Sequence, residues 1–243
     1  MKSLACSNLC VLCFLMMLTI AAPAQEYAQF HGTWFNAKFV EALKKSASMA
    51  TAMDAVSSAE PLTIQFDSTD GNGNVVTQWT LKKTDTLLLR KTSIPGVGMK
   101  WALGTSDAPM WVASADEKLG TYVALTPIEG VDTAKPVVMG KLPSKNPNPS
   151  FILKRMVNSS YLSGEWKDKK GTKYSFTSGM VATFGADMFP YDISIDANTY
   201  SVTITSTSGV PRSYLVVRTG NSLVLTSVGG GKKRGKTLTL QKV

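Results

Sequence analysis

One segment of the chain has the spacing of a phosphate-binding loop. Gly230-Gly231-Lys232-Lys233-Arg234-Gly235-Lys236-Thr237 fits the pattern G-x-x-x-x-G-K-[ST]. That loop binds phosphate because a strand precedes it and a helix N-terminus follows it. Here Leu238-Thr239-Leu240 alternates as a strand. We therefore interpret the segment as a basic β-turn, and expect the Lys232–Lys236 turn to offer at most a contact for an anionic partner or surface.

The other chemistry-bearing residues are too few or too scattered to predict catalysis. His31 is the one histidine of the chain, and it adjoins Gly32-Thr33-Trp34, where we expect a structural role. One histidine and no cysteine beyond residue 13 are too few for a metal site built from these residue types. A Ser-Lys nucleophile pair stays open because both residue types are plentiful, while Gly-x-Ser-x-Gly does not occur. We predict a protein that is not an enzyme and that uses no cofactor and no metal.

The N-terminal residues have the order of a secretory signal peptide. Lys2 precedes an apolar stretch from Val11 to Ile20, and Ala22-Pro23-Ala24 gives a small-x-small cleavage pattern. The apolar stretch is shorter than the roughly 20 residues of a spanning helix, so we expect no membrane span. We predict cleavage after Ala24 and a secreted or periplasmic protein. The leader would remove all of the cysteines, Cys6, Cys10 and Cys13.

The positive charge is uneven along the chain. Residues 159–243 hold 11 Lys or Arg against 5 Asp or Glu, whereas residues 25–158 hold 14 against 12. A basic second half could bind an anionic surface, or it could simply keep the protein soluble. Export and the lack of a basic stripe interleaved with aromatics exclude nucleic acid as the expected partner.

The pattern of apolar residues predicts one helical insertion and many strands. Asn36 is an N-cap candidate for a helical region at 37–57, which Ser46–Ser48 could divide. From Pro61 the apolar period becomes two, and we expect eight or nine strands ending with Phe151–Arg155, read here as a closing strand. Beyond residue 158, turn signals every 8–12 residues predict short antiparallel strands only. We place the leader at 1–24, the first unit at 25–158 and the second at 159–243.

Two similar starts, Gly32-Thr33-Trp34 and Gly164-Glu165-Trp166, each open one of these runs of strands. The pattern resembles the calycin superfamily, the lipocalins and fatty-acid-binding proteins, whose first strand begins with Gly-x-Trp. The resemblance implies an all-β fold with one short helical insertion and two tandem antiparallel β-barrels. It also implies a cation from the end of each barrel across the indole: Arg155 over Trp34, and Lys242 over Trp166. The alternative is that both tryptophans are ordinary core residues.

The larger first unit is where we expect a ligand. The resemblance implies that its helical insertion caps the barrel mouth, and the strands offer aromatic walls and adaptable methionines. The smaller second unit has bulky inward positions, and we expect it to be packed solid. Each candidate could instead be core. The candidate ligand-binding residues are Phe66, Trp79, Met99, Trp101 and Trp111.

Two classes of function fit these features. The first is an exported, non-enzymatic protein that holds a small apolar or amphipathic ligand in the first barrel. The second is a protein-interaction module, either a surface assembly component or a periplasmic protease inhibitor. Such an inhibitor would insert the segment from Gln25 to Phe30 into an active site.

Overall fold

The computed structural model describes residues 27–66, 73–115, 121–129, 134–141, 148–209, 211–228 and 235–243. The predicted leader lies outside these residues. So do Lys232, Lys233 and Arg234 of the basic turn and all of the predicted Asp70-Gly71-Asn72-Gly73 turn except Gly73.

The first eight strands pair in chain order and close into an antiparallel barrel. Their apolar period of two produces alternating burial, as in β3, where Val75 and Thr77 are buried and Val76 is 42% exposed. The predicted strands near residues 86–91, 99–103, 110–115, 121–126 and 137–139 are all present. The strands are β1 Gly32–Asn36, β2 Thr63–Phe66, β3 Asn74–Gln78, β4 Thr84–Ile94, β5 Gly98–Gly104, β6 Pro109–Ala115, β7 Tyr122–Pro127 and β8 Val137–Lys141.

The last eight strands form a second closed antiparallel barrel. Its circuit is completed by β16, which pairs with β9 through Gln241 opposite Lys167 and Lys242 opposite Trp166. The predicted all-β fold of two tandem barrels is therefore confirmed. The strands are β9 Gly164–Lys167, β10 Lys173–Phe176, β11 Val181–Phe184, β12 Asp187–Ile195, β13 Val202–Ser206, β14 Ser213–Thr219, β15 Ser222–Ser227 and β16 Thr237–Lys242.

The predicted helical insertion is two helices, α1 (Ala37–Ser46) and α2 (Met49–Asp54). Asn36 caps α1 by accepting the N–H of Lys38, as the sequence predicts. The break falls at Ala47, whose left-handed φ of 47° ends α1 before Ser48 caps α2. Among the described residues, no helix is both long and apolar enough to cross a bilayer.

The strand predicted at Phe151–Arg155 is wrong, because these residues lie in a third helix, α3 (Pro149–Val157). Asn148 caps it by accepting the N–H groups of Ser150 and Phe151, and Pro149 occupies its first turn. The strand that closes the first barrel is instead β8.

The chain forms two compact units whose bounds differ from the predicted boundary at residue 158. The first contains residues 63–77 and 84–141 together with the chain up to Trp34; the second contains 35–62, 78–83 and 142–243. The helices predicted to cap the first barrel belong to the second unit. There Phe39, Leu43 and Met49 join a continuous apolar core with the inward side chains of β9–β16.

The Gly-x-Trp segment of the first barrel closes one of its ends. A short 3₁₀ helix, Ala28–Phe30, precedes it, and the backbone turns at Gly32 with φ of +123°. The fully buried indole of Trp34 donates its N–H to the Phe30 carbonyl at 2.8 Å. Lys141 covers the ring, with Nζ 5.0 Å from its centroid, and donates to the carbonyl of His31 at 2.8 Å.

The second barrel repeats this arrangement. A π-helical turn, Asn158–Leu162, precedes Gly164, whose φ is +130°. The fully buried Trp166 donates its indole N–H to the Leu162 carbonyl at 2.7 Å, again four residues back. The guanidinium of Arg218 lies 5.5 Å from the ring centroid. The two starts therefore share a glycine with positive φ and an indole hydrogen bond to the carbonyl four residues back, although the helical turns before them differ.

The cations over the two indoles are not the predicted ones. Arg155 lies in α3 and stacks on Phe151, with 5.6 Å between its guanidinium and the ring centroid. Lys242 is adjacent to Trp166 in the strand register, while Arg218 covers the ring. The predicted device of a cation over each indole is present, but different residues supply it.

Replacing either glycine by alanine should destabilise its barrel. A φ near +125° is accessible almost only to glycine, and we expect Gly32→Ala and Gly164→Ala each to lower the free energy of unfolding by about 1–3 kcal/mol. Gly32→Ala should cost more, because its Cβ would lie 2.9 Å from Lys141 Cε, against 3.6 Å from Lys242 Cε at Gly164. Urea denaturation checks both. Gly140→Ala is the control, because Gly140 has no positive φ and open space around the added Cβ.

Candidate functional site

The interior of the first barrel is apolar along β4 to β8. The strand register places Leu89 opposite Leu103 and Leu103 opposite Trp111. Ala113 continues the same inward face of β6. Each of these four side chains is at most 5% exposed. The inward face continues with Val123, Leu125, Val137 and Met139, which pair across β7 and β8.

Thr77 places a hydroxyl group in this apolar interior. It is fully buried, and it shares the inward face of β3 with Val75, since Val76 between them is exposed. Its Oγ1 has no hydrogen-bond partner in the structure. A buried hydroxyl without a partner costs about 1–3 kcal/mol, so such a group calls for an explanation such as a bound water or ligand.

Phe66 and Trp101, two of the predicted ligand-binding residues, lie together at the plugged end. Their rings are 5.5 and 5.7 Å from that of Phe30, whose carbonyl bonds Trp34. Tyr27 packs on Trp101 at 5.0 Å. Met99, on the same face of β5 as Trp101, is 66% exposed. These residues form an aromatic layer over the plug.

The remaining two predicted residues are separate from this layer. Trp111 is 5% exposed and pairs with Leu103 near the other end of the barrel, close to where β5 ends and β6 begins. Trp79 lies in the segment 78–83 of the second unit, with Lys83 Nζ 5.6 Å from its ring. The structure therefore brings Phe66 and Trp101 together and leaves Trp79 apart. Whether any of them binds a ligand stays a prediction.

Sequence reasoning missed two important residues, although the sequence held a signal for each. Val137-Val138-Met139-Gly140-Lys141 has the same apolar-x-apolar-x-cation spacing as the segment chosen to close the barrel, Phe151–Arg155. Thr77 alternates with the exposed Val76 in a strand that the period of two predicts, which already places its hydroxyl inward.

The interior of the second barrel is filled with aromatic rings at the end away from Trp166. Phe184 lies at the centre of this ring cluster, with centroid distances of 5.2–5.8 Å to its neighbours. Edge-to-face packing of this kind adds roughly 0.5–1.5 kcal/mol per pair beyond burial. The neighbours are Tyr174, Phe176, Phe189 and Tyr214.

Tyr191 and Asn158 form a buried polar network inside the second unit, whereas the buried Ser163 Oγ at the turn before β9 has no hydrogen-bond partner. Tyr191 donates its hydroxyl to Asn158 Oδ1, and Asn158 Nδ2 donates to the Thr177 carbonyl at 2.9 Å. Burial raises the pKa of Tyr191 above its ordinary value, so the hydroxyl keeps its proton and remains a donor. Burial also raises the pKa of Tyr161, partly offset by the hydrogen bond that it accepts from the Met49 N–H. This network satisfies buried groups and fixes the packing.

Two shallow clefts lie on the second unit. One, of about 200 Å³, is bounded by the turn between α1 and α2, by Tyr161 and by the outer face of β14. The other, of about 300 Å³, is lined by Leu153 and Lys154 of α3 and by Ile193 and Ile195. In this second cleft the Lys154 ammonium forms a salt bridge with Asp192 at 2.7 Å. Both volumes are at or below the lower bound of typical small-molecule sites.

Comparison with known proteins identifies no relative of this chain, so the functional interpretation depends on the geometry of the structure. No protein-family model, curated protein or solved structure matches the chain. Within the described residues, no three His, Cys, Asp or Glu side chains are grouped to hold a metal ion. The buried hydroxyl of Thr77 in an apolar barrel is the feature of the structure that most clearly points to a ligand.

Removing this hydroxyl should stabilise the ligand-free protein. We expect Thr77→Val to raise the free energy of unfolding by about 1 kcal/mol, because valine fills the same space without a buried unpartnered oxygen. Urea denaturation of protein stripped of bound molecules checks this. Thr63→Val is the matched control, since Thr63 is 2% exposed and its hydroxyl is not buried without a partner. Destabilisation of both variants alike would show that Thr77 is bonded.

Removing a buried hydroxyl from the second barrel should lower the free energy of unfolding instead of raising it. Tyr191→Phe leaves Asn158 Oδ1 buried without its donor, so we expect the free energy of unfolding to fall by about 1–3 kcal/mol. Tyr200→Phe is the control, because Tyr200 is only partly buried. Equal stabilities for the two variants, measured by thermal unfolding, would contradict a stabilising role for the Tyr191–Asn158 bond.

Proposed function

We propose that this protein is an exported, non-enzymatic binding protein that holds a small amphipathic ligand inside the first barrel. The observation that carries the proposal is the fully buried Thr77, whose hydroxyl has no hydrogen-bond partner in a barrel whose interior is apolar along β4 to β8. A ligand with an apolar body and one hydrogen-bonding group would satisfy this oxygen while contacting Leu103 and Trp111. An eight-stranded barrel is wide enough for interior side chains or one small ligand.

The architecture supports this proposal. Closed eight-stranded antiparallel barrels that begin with Gly-x-Trp are what the resemblance to calycins implies, and membership of that superfamily is part of the proposal. The Trp34 plug closes one end of the barrel, and the candidate ligand-binding residue Trp111 lies toward the other end. Export through a leader cleaved after Ala24 is proposed on the sequence pattern alone.

The protease-inhibitor alternative receives less support from the structure. That mode requires the residues before the first strand to extend into a partner. Instead, Tyr27 packs on Trp101 at 5.0 Å and Phe30 is fully buried beside Phe66. Freeing this segment would expose Phe30 and remove the acceptor of the Trp34 indole.

The first test is whether the protein carries a ligand when it is exported. Native mass spectrometry of the full chain from its own secretion compartment should show a mass in excess of the denatured protein. The apolar dye 1-anilinonaphthalene-8-sulfonate should then bind the stripped protein and be displaced by the extracted compound. No excess mass, together with no dye binding by the folded protein, would refute the proposal.

The second test locates the ligand. Thr77→Val should weaken binding of the extracted compound about 2- to 10-fold, the value of one hydrogen bond. Thr203→Val, on the outer face of the second barrel, should leave the affinity unchanged. Isothermal titration with each variant measures both. Equal affinities for Thr77→Val and the wild type would place the ligand elsewhere.

A further inference from the structure

Three turns and two strand ends lie at the end of the second barrel opposite the Trp166 plug. The strand pairings place there the β9–β10, β11–β12 and β13–β14 turns, the end of β15 and the start of β16. Because β16 pairs with β9, the start of β16 lies next to the β9–β10 turn. Residues that are distant in sequence therefore share one rim.

This rim carries exposed lysines on the β9–β10 hairpin. Lys167 and Lys173 are directly opposite each other in the strand register, and Lys169 and Lys170 lie in the turn between them. Lys236, next to the start of β16, is exposed at the same end. Like charges directly opposite each other destabilise a strand pair, so nothing in folding favours this arrangement.

These lysines are not held in ion pairs. Among the described residues, none of the five forms a salt bridge. The hairpin also contains two carboxylates, Glu165 in β9 and Asp168, which accepts the N–H groups of Lys170 and Thr172 at 2.8 and 2.9 Å. Asp187 on the next turn is paired with Arg212 at 2.9 Å. With four lysines against two carboxylates, the hairpin presents a net positive charge.

Exposed apolar side chains accompany the lysines. Met188, at the start of β12, is 72% exposed, and Val228, just after β15, is 51% exposed. Both belong to the end of the barrel that holds the lysine-bearing turns. Lysines beside apolar side chains are the composition of surfaces that lie in a membrane interface, where the cations meet phosphate groups and the apolar tips enter the acyl boundary.

We infer that this end of the second barrel docks on a membrane surface bearing anionic phospholipid headgroups. The charge alone would also fit an acidic polysaccharide. The exposed Met188 and Val228 favour a membrane, because a polysaccharide offers no apolar phase for them. The inference is independent of the ligand proposed for the first barrel, whose residues it does not use.

Vesicle sedimentation with the full mature chain tests the inference. We expect binding to vesicles of phosphatidylcholine with phosphatidylglycerol, none to phosphatidylcholine alone, and loss of binding at high salt. The variant K169E/K170E/K173E should bind at least about 100-fold more weakly, since each lysine near an anionic surface contributes about five-fold. Met188→Ser should weaken vesicle binding and leave binding to soluble dextran sulfate unchanged.

A charge-matched variant separates the rim from the net charge. K44E/K100E/K135E makes the same change in charge at exposed lysines that are not part of the rim, and should keep vesicle binding within about three-fold. Thermal melts confirm folding, and K169Q/K170Q/K173Q replaces the glutamate variant if the latter fails to fold. Lys173→Glu alone should raise the melting temperature while weakening binding, because it turns a repulsive cross-strand pair into an attractive one.

Three results would overturn the inference. One is equal binding of the wild type to neutral and anionic vesicles. Another is equal loss of binding in the rim and control variants. The third is tight binding to dextran sulfate with no vesicle binding, which would assign the rim to polysaccharide instead.

Discussion

The indole N–H of a buried tryptophan must find an acceptor, and in each barrel this requirement organises the entry of the chain. Trp34 and Trp166 each donate to the carbonyl four residues back, which fixes a helical turn directly before the first strand. The chain can reverse from that turn into the barrel only through a positive φ, so Gly32 and Gly164 are required there. A plug built this way closes one end of the barrel, and a lysine or arginine then covers the ring from outside.

Much of this architecture could be predicted because it depends on periodicity. An apolar period of two, as in Leu62–Phe66 and Tyr191–Ile195, predicts which side chains face inward. Closure into a barrel is favoured because it removes the edges that a sheet would otherwise expose. The paired Gly-x-Trp starts gave the number of barrels. The break between α1 and α2 followed from the polar residues Ser46–Ser48, which favour caps over helix interiors.

What failed depended on contacts between residues distant in sequence. Phe151–Arg155 is a short apolar run that fits a strand or a helix equally well, and the Asn148-Pro149 cap signal decides for the helix. The prediction of Arg155 over Trp34 depends on that segment closing the barrel, so it fails with it, because β8 closes the barrel and ends in Lys141. The position of α1 and α2 in the second unit likewise depends on tertiary packing. The amphipathic pattern of a helix predicts an apolar face but not the core that this face will join.

Among the described residues, each unit buries one hydroxyl without a partner, but Thr77 is fully buried on an inward face, whereas Ser163 is a partly buried residue at the turn before β9. In the second barrel Tyr191, Asn158 and Thr177 satisfy one another beside a ring cluster, and a network with all its bonds made rigidifies a core. In the first barrel Thr77 contributes a hydroxyl that folding leaves unbonded. Because an unsatisfied group lowers stability, its presence is most simply explained by a bond made to something other than the protein. The second barrel can then serve as a rigid support that carries exposed lysines at the end opposite Trp166, while the first barrel keeps the unpaired Thr77 hydroxyl for a ligand.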